Sequence, residues 1–207
     1  WLMGEPLNNP TLDQNLGQLM IECLRTLPKE KIRNEPSELT LITNYLDYIM
    51  KQILHDPDAH IVEWPNTGLH ESKARKPKGR AKQPDFSVSI IDQLQKSGVL
   101  FVGEVSPPSE IKDVYKNCND LIRIGIFMKD CLDSTIEKGA DLTVLDFNVS
   151  VSYTIDFYTM NLVSEGIYVM NNIGRVRIPA SLKDLSAFVD DMETLLAVRE
   201  IFQCSET

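Results

Sequence analysis

Two acidic residues, Asp85 and Glu104, stand at the outer ends of two apolar segments that a polar link joins. The segments DFSVSII (85–91) and VLFVGEV (99–105) are rich in β-branched and aromatic residues, and DQLQKSG (92–98) separates them. Two apolar segments with so short a link are typical of neighbouring antiparallel strands. The sequence therefore predicts a β-hairpin whose open end carries two carboxylates.

The spacing of the two acids predicts that they face each other. A turn between Leu94 and Gln95 would place Asp85 directly across from Glu104 on the same face of the hairpin. A slip of one residue would instead point them to opposite faces. Two adjacent carboxylates repel each other unless a proton or a cation lies between them. Because Mg²⁺ prefers oxygen ligands, the pair predicts a divalent-metal site.

The elements around this hairpin alternate between helical and strand patterns. Leucines at three- and four-residue steps predict a helix over 11–27, and a second helix is expected from an N-cap at Ser37 to about 55. Further strands are predicted at 59–64, 142–151, 153–162 and 166–179. The expected fold is mixed α/β, with one central β-sheet flanked by helices.

A long helix is predicted over 109–138, directly after the hairpin. Ser109 is its expected N-cap, Gly125 a possible break, and Lys138–Gly139 its end. The residues expected on its core face are Ile111, Val114, Tyr115, Cys118, Leu121 and Ile122, and those on the opposite face are Lys112, Lys116, Asn119 and Arg123.

The C-terminal third predicts a last strand and a last helix. Asn171–Asn172 with Gly174 favours a turn inside the strand at 166–179. Ser181 is the expected cap of the final helix, whose apolar stripe would pack in the core or form a homodimer face.

The residues around the acid pair resemble the PD-(D/E)xK nuclease superfamily. Pro84-Asp85 matches the first part of that motif, and Glu104-Val105-Ser106 matches the second in part. The resemblance covers roughly residues 37–180 and implies a restriction-endonuclease-like α-β-β-β-α-β core. The stretch 84–201 is also similar to such domains in expanded families of fungal proteins, including those of crinkler-type effectors.

The resemblance implies a Mg²⁺- or Mn²⁺-dependent nuclease with Asp85 and Glu104 as metal ligands. The motif lysine, which would position the attacking water, is replaced by Ser106. Since some members supply this lysine from the following helix, Lys112 and Lys116 are its candidates. The supporting metal ligand on the first helix would be Glu38, with Glu22 a less favoured alternative.

The chain has a formal net charge of −9 but carries one strongly basic strip. This strip, KARKPKGRAK (73–82), lies in a segment, 65–83, that is predicted to be a long exposed loop. A nuclear localisation signal, a phosphate-binding surface and a plain solvated loop are all compatible with it. Its cationic residues are Lys73, Arg75, Lys76, Lys78, Arg80 and Lys82.

Other features narrow the class of protein. The 207 residues predict a single domain, with 1–36 as a helical extension and 37–201 as the core. No apolar run is long enough to span a bilayer, no Gly-rich phosphate loop favours a kinase, and the four cysteines are expected to be unpaired and mostly buried. An intracellular location is expected, and a nuclear one stays open. The N-terminus looks trimmed, so earlier secretion as an effector stays open as well.

Two functions follow from these patterns. The first is a divalent-metal-dependent nuclease acting on DNA or RNA phosphodiesters. The second is a catalytically inactive nuclease fold that binds nucleic acid or protein, which the serine at position 106 favours.

Overall fold

The structure, a computed structural model, describes residues 14–64, 83–110, 113–139, 144–150 and 153–204. The basic strip at 73–82 and Lys112 therefore lie outside the described residues. The mixed α/β class predicted from the sequence is confirmed.

The N-terminal helices follow the predicted pattern closely. Helix α1 spans Gln14–Thr26. Helix α2 (Glu38–Leu41), a π-helical turn (Ile42–Leu46) and helix α3 (Asp47–Leu54) then follow one another without interruption. Ser37 caps this stretch as predicted, since its hydroxyl accepts a hydrogen bond from the backbone N–H of Thr40 at 3.3 Å.

Six strands lie side by side in chain order. Neighbouring strands are antiparallel, except for the third and the fourth, which run parallel. A parallel pair needs a crossover connection, and a long helix, α4 (Val114–Glu137), lies between these two strands in the chain. The strands are β1 (His60–Glu63), β2 (Phe86–Asp92), β3 (Gln95–Val105), β4 (Val144–Ser150), β5 (Thr154–Ser164) and β6 (Ile167–Arg177).

The predicted β2–β3 hairpin is confirmed, but its turn lies one residue earlier than expected. Gln93 and Leu94 form the turn, with φ values of 47° and 65°. Such positive values at both central residues suit the right-handed twist of the flanking strands. Two irregularities in β3 then shift the register, so that Phe86 pairs with Gly103 at the open end.

Hydrophobic residues pack on both faces of the sheet. The larger core joins α1, α3 and the C-terminal helices to side chains such as Phe86, Phe101 and Phe157. A smaller core on the other face joins α4 to Val102 of β3 and Met160 of β5. Helix α4 is thus the cover of one face of the sheet.

Helix α4 spans Val114–Glu137 and corrects two predictions. Its N-cap is Asp113, which accepts a hydrogen bond from the backbone N–H of Lys116, while Ser109 lies in a preceding 3₁₀ turn. The helix also continues through Gly125 without a break. Its end is as predicted, since Gly139 adopts a φ of 82°, a conformation that glycine tolerates best.

Apart from Ile111, which lies outside the described residues, the predicted core face of α4 is wrong. Val114 and Tyr115 are 70% and 80% exposed, and Ile122 and Cys118 are exposed as well. The buried face of α4 lies about half a turn around the helix axis from the predicted face. It also extends further along the helix. Its first buried residue is a carboxylate, because this end of the helix covers polar groups of β3. The buried residues are Asp120, Ile124, Phe127, Met128, Asp130, Cys131, Leu132 and Thr135.

The C-terminal third also departs from the predictions. Asn171 and Asn172 do not form a turn but pair with β5, and a bulge lies beside them. Ser181 makes no capping hydrogen bond to the backbone; its hydroxyl donates to Asp184 instead. The final helix is divided into α5 (Leu185–Asp190) and α6 (Met192–Cys204), whose buried residues join the larger core.

Candidate carboxylate site

The alternation of side chains along the hairpin directs both predicted acids toward α4. Phe86 belongs to the larger core and Val102 to the smaller one. Since successive strand residues point to opposite faces, Asp85 lies on the face opposite Phe86, and Glu104 shares the face of Val102. The register that pairs Phe86 with Gly103 brings Asp85 opposite Glu104 one step further along. The two carboxylates therefore meet under the N-terminal half of α4.

Asp85 is fixed by the backbone of the neighbouring strand. Its backbone N–H donates to the carbonyl of Gly103 at 3.0 Å, and its Oδ2 accepts a hydrogen bond from the N–H of Val105 at 2.9 Å. The side chain is half-buried. These contacts hold Oδ2 of Asp85 against β3.

Glu104 is a buried acid in an unfavourable electrostatic position. Only 2% of its surface is exposed. Burial, the adjacent charge of Asp85 and a side-chain hydrogen bond with Asp85 together raise the pKa of Glu104 to about 9, while Arg123 opposes the shift. Among the residues that the structure describes, its Oε1 is the buried side-chain oxygen that accepts no hydrogen bond. An oxygen of this kind costs free energy unless something binds it.

Arg123 of α4 contacts two of the acids, Glu104 and Asp120. Its Nη2 is 3.1 Å from Glu104 Oε1, which is near enough for charge attraction, although no N–H points at that oxygen. The same nitrogen donates to the carbonyl of Gln83 at 3.1 Å, and Nη1 donates to Asp120 Oδ1 at 3.3 Å. The guanidinium is thus shared among three acceptors and serves Glu104 incompletely.

Asp120 is a third buried carboxylate at this place. It accepts a hydrogen bond from the hydroxyl of Ser106 at 2.8 Å. Ser106, which stands where the nuclease motif has its lysine, is itself buried. We refer to Asp85, Glu104, Ser106, Asp120 and Arg123 together as the carboxylate site.

Glu38 and Lys116 lie at the border of the carboxylate site. Partial burial raises the pKa of Glu38, the charge of Asp85 raises it further, and Lys116 opposes the shift. Lys116 itself forms an ion pair with Glu110. Burial lowers the pKa of Lys116, but the hydrogen bond to Glu110 and the charges of Glu110, Asp120 and Glu38 together raise it overall. The predicted lysine is therefore close to the acids but already paired.

The donor set suits a divalent cation held in part by the protein. Among the described residues, no three His, Cys, Asp or Glu side chains lie close enough together to hold a metal ion by themselves. Mg²⁺, however, is commonly bound by one or two carboxylates, with water and phosphate oxygens completing its shell. Asp85 and Oε1 of Glu104, which accepts no hydrogen bond, could provide two such ligands.

The structure brings together some predicted site residues and adds two others. Asp85 and Glu104 meet, Glu38 and Lys116 are adjacent, and Glu22 instead makes contacts with Gln18 and Arg25 inside α1. Asp120 and Arg123 were not predicted as site residues. Their spacing of three residues on one helix was visible, but the face of α4 was assigned wrongly.

Comparisons with protein-family models, with curated proteins and with solved structures found no match for this chain. Within the part of the chain that the structure describes, no helix is both long and apolar enough to cross a membrane. The function must therefore be argued from the carboxylate site itself.

Proposed function

We propose that the chain is a divalent-metal-dependent phosphodiesterase that acts on DNA or RNA. The observation that carries this proposal is Glu104 Oε1, a buried oxygen that accepts no hydrogen bond and that faces a second acid, Asp85. Buried polar atoms in proteins nearly always have partners, and exceptions often mark functional positions. A cation between the two acids would satisfy this oxygen and remove the repulsion between them.

The residues of the carboxylate site divide the work of binding and orientation. Asp85 and Glu104 hold the Mg²⁺ or Mn²⁺ ion, and Asp85 is kept in place by the N–H of Val105. When bound, the ion supplies Lewis-acid stabilisation of the phosphate and lowers the pKa of a water molecule. Glu38 lies at the open border of the site, where it can orient that water. Arg123, which is half-buried, offers a cation next to the position of the phosphate.

The order of elements supports the resemblance to the PD-(D/E)xK superfamily. Helix α3, the antiparallel strands β1 to β3, the crossover helix α4 and the parallel strand β4 follow one another in the order α-β-β-β-α-β. Asp85 precedes the second strand of this series and Glu104 lies near the end of the third. On this proposal, the six strands form the central sheet of a restriction-endonuclease-like core.

The basic strip completes the proposal. Its six cations precede Pro84-Asp85 in the chain. Cationic side chains attract the phosphate backbone of nucleic acids and make binding weaker as salt rises. We propose that the strip contributes phosphate contacts, while nuclear localisation remains a prediction for the same residues. The homodimer through the C-terminal helix also remains a prediction.

Cleavage assays test the proposed activity. Purified protein is incubated with labelled single- and double-stranded DNA and RNA, with Mg²⁺, with Mn²⁺ or with a chelator. We expect cleavage that requires the metal and that both Asp85→Ala and Glu104→Ala abolish. Undiminished cleavage in either variant would show that the activity lies elsewhere.

One feature favours the alternative function, a nuclease fold that binds without turnover. The hydroxyl of Ser106 is engaged by Asp120, and the amine of Lys116 is engaged by Glu110. Ser106 has no amine, and the amine of Lys116 is already paired, so neither residue offers a free amine to an attacking water. If the protein binds nucleic acid with Mg²⁺ but shows no cleavage on any substrate, this alternative replaces the first proposal.

A further inference from the structure

Arg123 lies on the oxygen that the proposed metal would use. Its Nη2 is 3.1 Å from Glu104 Oε1. A divalent ion binds carboxylate oxygens at about 2.0–2.6 Å, so an ion on Oε1 and a guanidinium at its present distance would be close neighbours of like charge. Each cation would therefore weaken the binding of the other at that oxygen.

The contact between Arg123 and Glu104 is weak enough for another cation to replace the guanidinium. No N–H of the guanidinium is aligned with Oε1, whereas other N–H groups donate to Gln83 and Asp120. A third of the Arg123 side chain is exposed, so water can solvate the guanidinium if it moves. Glu104, by contrast, has 2% exposure and no access to water of its own. The arginine can therefore move into water, whereas Glu104 stays buried and needs either a proton or a cation to offset its charge.

The geometry points to a cation exchange in which Arg123 neutralises the acids of the carboxylate site until a divalent ion displaces it from Glu104. This inference rests on the proposed function, because it assumes that the ion binds between Asp85 and Glu104. It adds that the metal-free site is held closed by the chain's own cation. Arg123 thereby lowers the apparent affinity for the metal and stabilises the protein in its absence.

The test compares Mn²⁺ binding by the wild-type chain, Arg123→Met and Lys116→Met, using calorimetry. The two cations are matched, because both belong to α4 and their side chains are 33% and 34% exposed. Lys116 pairs with Glu110 rather than with Glu104. We expect Arg123→Met to bind Mn²⁺ roughly tenfold more tightly, because a like charge beside the ion is removed, and Lys116→Met to change the affinity much less.

The outcomes separate this inference from the proposed function. If the wild type binds Mn²⁺ and Arg123→Met binds it equally or more weakly, the exchange is wrong and the metal site stands. An equal gain in Lys116→Met would also refute the exchange, because overall charge would explain it. If neither wild type nor Arg123→Met binds Mn²⁺, both proposals fail. Binding by Arg123→Met alone would support the exchange in its strongest form.

A measurement on the wild-type chain avoids any folding defect of the variant. The ¹⁵N signals of arginine side chains are followed during a Mg²⁺ titration, and Arg123 is assigned with the Arg123→Lys variant. Displacement predicts that the Arg123 signal shifts until the site is saturated. If the signal stays unchanged while Mg²⁺ binds, the guanidinium has not moved and the exchange is refuted.

Discussion

Two acids of the same sheet, Asp156 and Glu104, have opposite surroundings. Asp156 in β5 lies directly across from Arg175 in β6, which donates to both of its oxygens at 2.7 and 2.9 Å. Glu104 in β3 lies across from Asp85 and has one oxygen without a donor. Asp156 thus forms a bidentate ion pair in which both oxygens accept hydrogen bonds, whereas Glu104 does not.

The partners of these two acids distinguish a structural acid from a candidate functional acid. Arg175 meets Asp156 through the strand register itself, and its side chain remains 65% exposed and hydrated. The cation near Glu104 comes from a helix and is divided among several acceptors. Completed bidentate pairs stabilise a fold, whereas incompletely satisfied acids facing each other point to a ligand.

The largest expected effect is on catalysis. Removing the charge in Glu104→Gln should lower metal-dependent cleavage about 10³-fold, because a metal contributes several kcal/mol to the transition state. The matched variant Asp156→Asn, in the same sheet, should retain cleavage under conditions in which it is folded. Rates are measured on the best substrate with Mg²⁺. Equal losses in both variants would mean that the assay reports folding rather than the site.

The bidentate ion pair between Asp156 and Arg175 should contribute to stability rather than to catalysis. Asp156→Ala removes two charge-assisted hydrogen bonds and should lower the free energy of unfolding by about 2–3 kcal/mol. Urea denaturation followed by circular dichroism measures the change. A loss below about 0.5 kcal/mol would place this pair among the weak surface ion pairs and weaken the contrast with Glu104.

Glu104 should make the wild-type chain less stable as pH rises. Its folded-state pKa of about 9 exceeds the ordinary value of 4.5, so the folded chain binds the proton more tightly than the unfolded chain does. Stability from this group is therefore present below about pH 4.5 and is lost as pH rises toward 9. Glu104→Gln removes this loss and should be the more stable protein at pH 8 by on the order of 2 kcal/mol.

The control is how the difference in stability between the wild-type chain and Glu104→Gln changes with pH. The stability of the wild-type chain and of Glu104→Gln should converge as pH is lowered toward 4, when measured without divalent cations. A constant difference across this range would indicate that the substitution acts through packing and not through the charge of Glu104.

The smallest expected effect concerns the ion pair between Lys116 and Glu110. Both side chains are about one third exposed, and pairs of this kind contribute at most about 1 kcal/mol. Lys116→Met should therefore change the midpoint of thermal unfolding only slightly. A large loss of stability would show that Lys116 supports the carboxylate site itself, as its proximity to Glu38 would allow.

Much of the hairpin could be predicted from the sequence, because strand periodicity and a short link determine it. The predicted pairing of Asp85 with Glu104 rested on a turn that was placed one residue too late. Two irregularities in β3 compensate for this error, so that Asp85 still reaches Glu104. Bulges depend on packing against both faces of the sheet, which no local pattern contains.

The residues contributed by α4 could not be predicted in the same way. The apolar residues at 114–122 favoured one face of the helix, yet that face is exposed. The buried face begins with Asp120 because the charged groups of the carboxylate site need polar partners above them. Hydrophobic periodicity assumes that buried means apolar, and this assumption fails where a helix covers a polar site.

The most direct test of the account is the position of a bound Mn²⁺ ion. Crystals of the wild-type chain grown with Mn²⁺ would reveal the ion by its anomalous scattering. An ion held by the two acids should give a peak about 2.2 Å from Glu104 Oε1 and within ligand distance of Asp85, with Arg123 displaced. A crystal without a peak at saturating Mn²⁺, or with a peak elsewhere while Arg123 keeps its contact with Glu104, would contradict it.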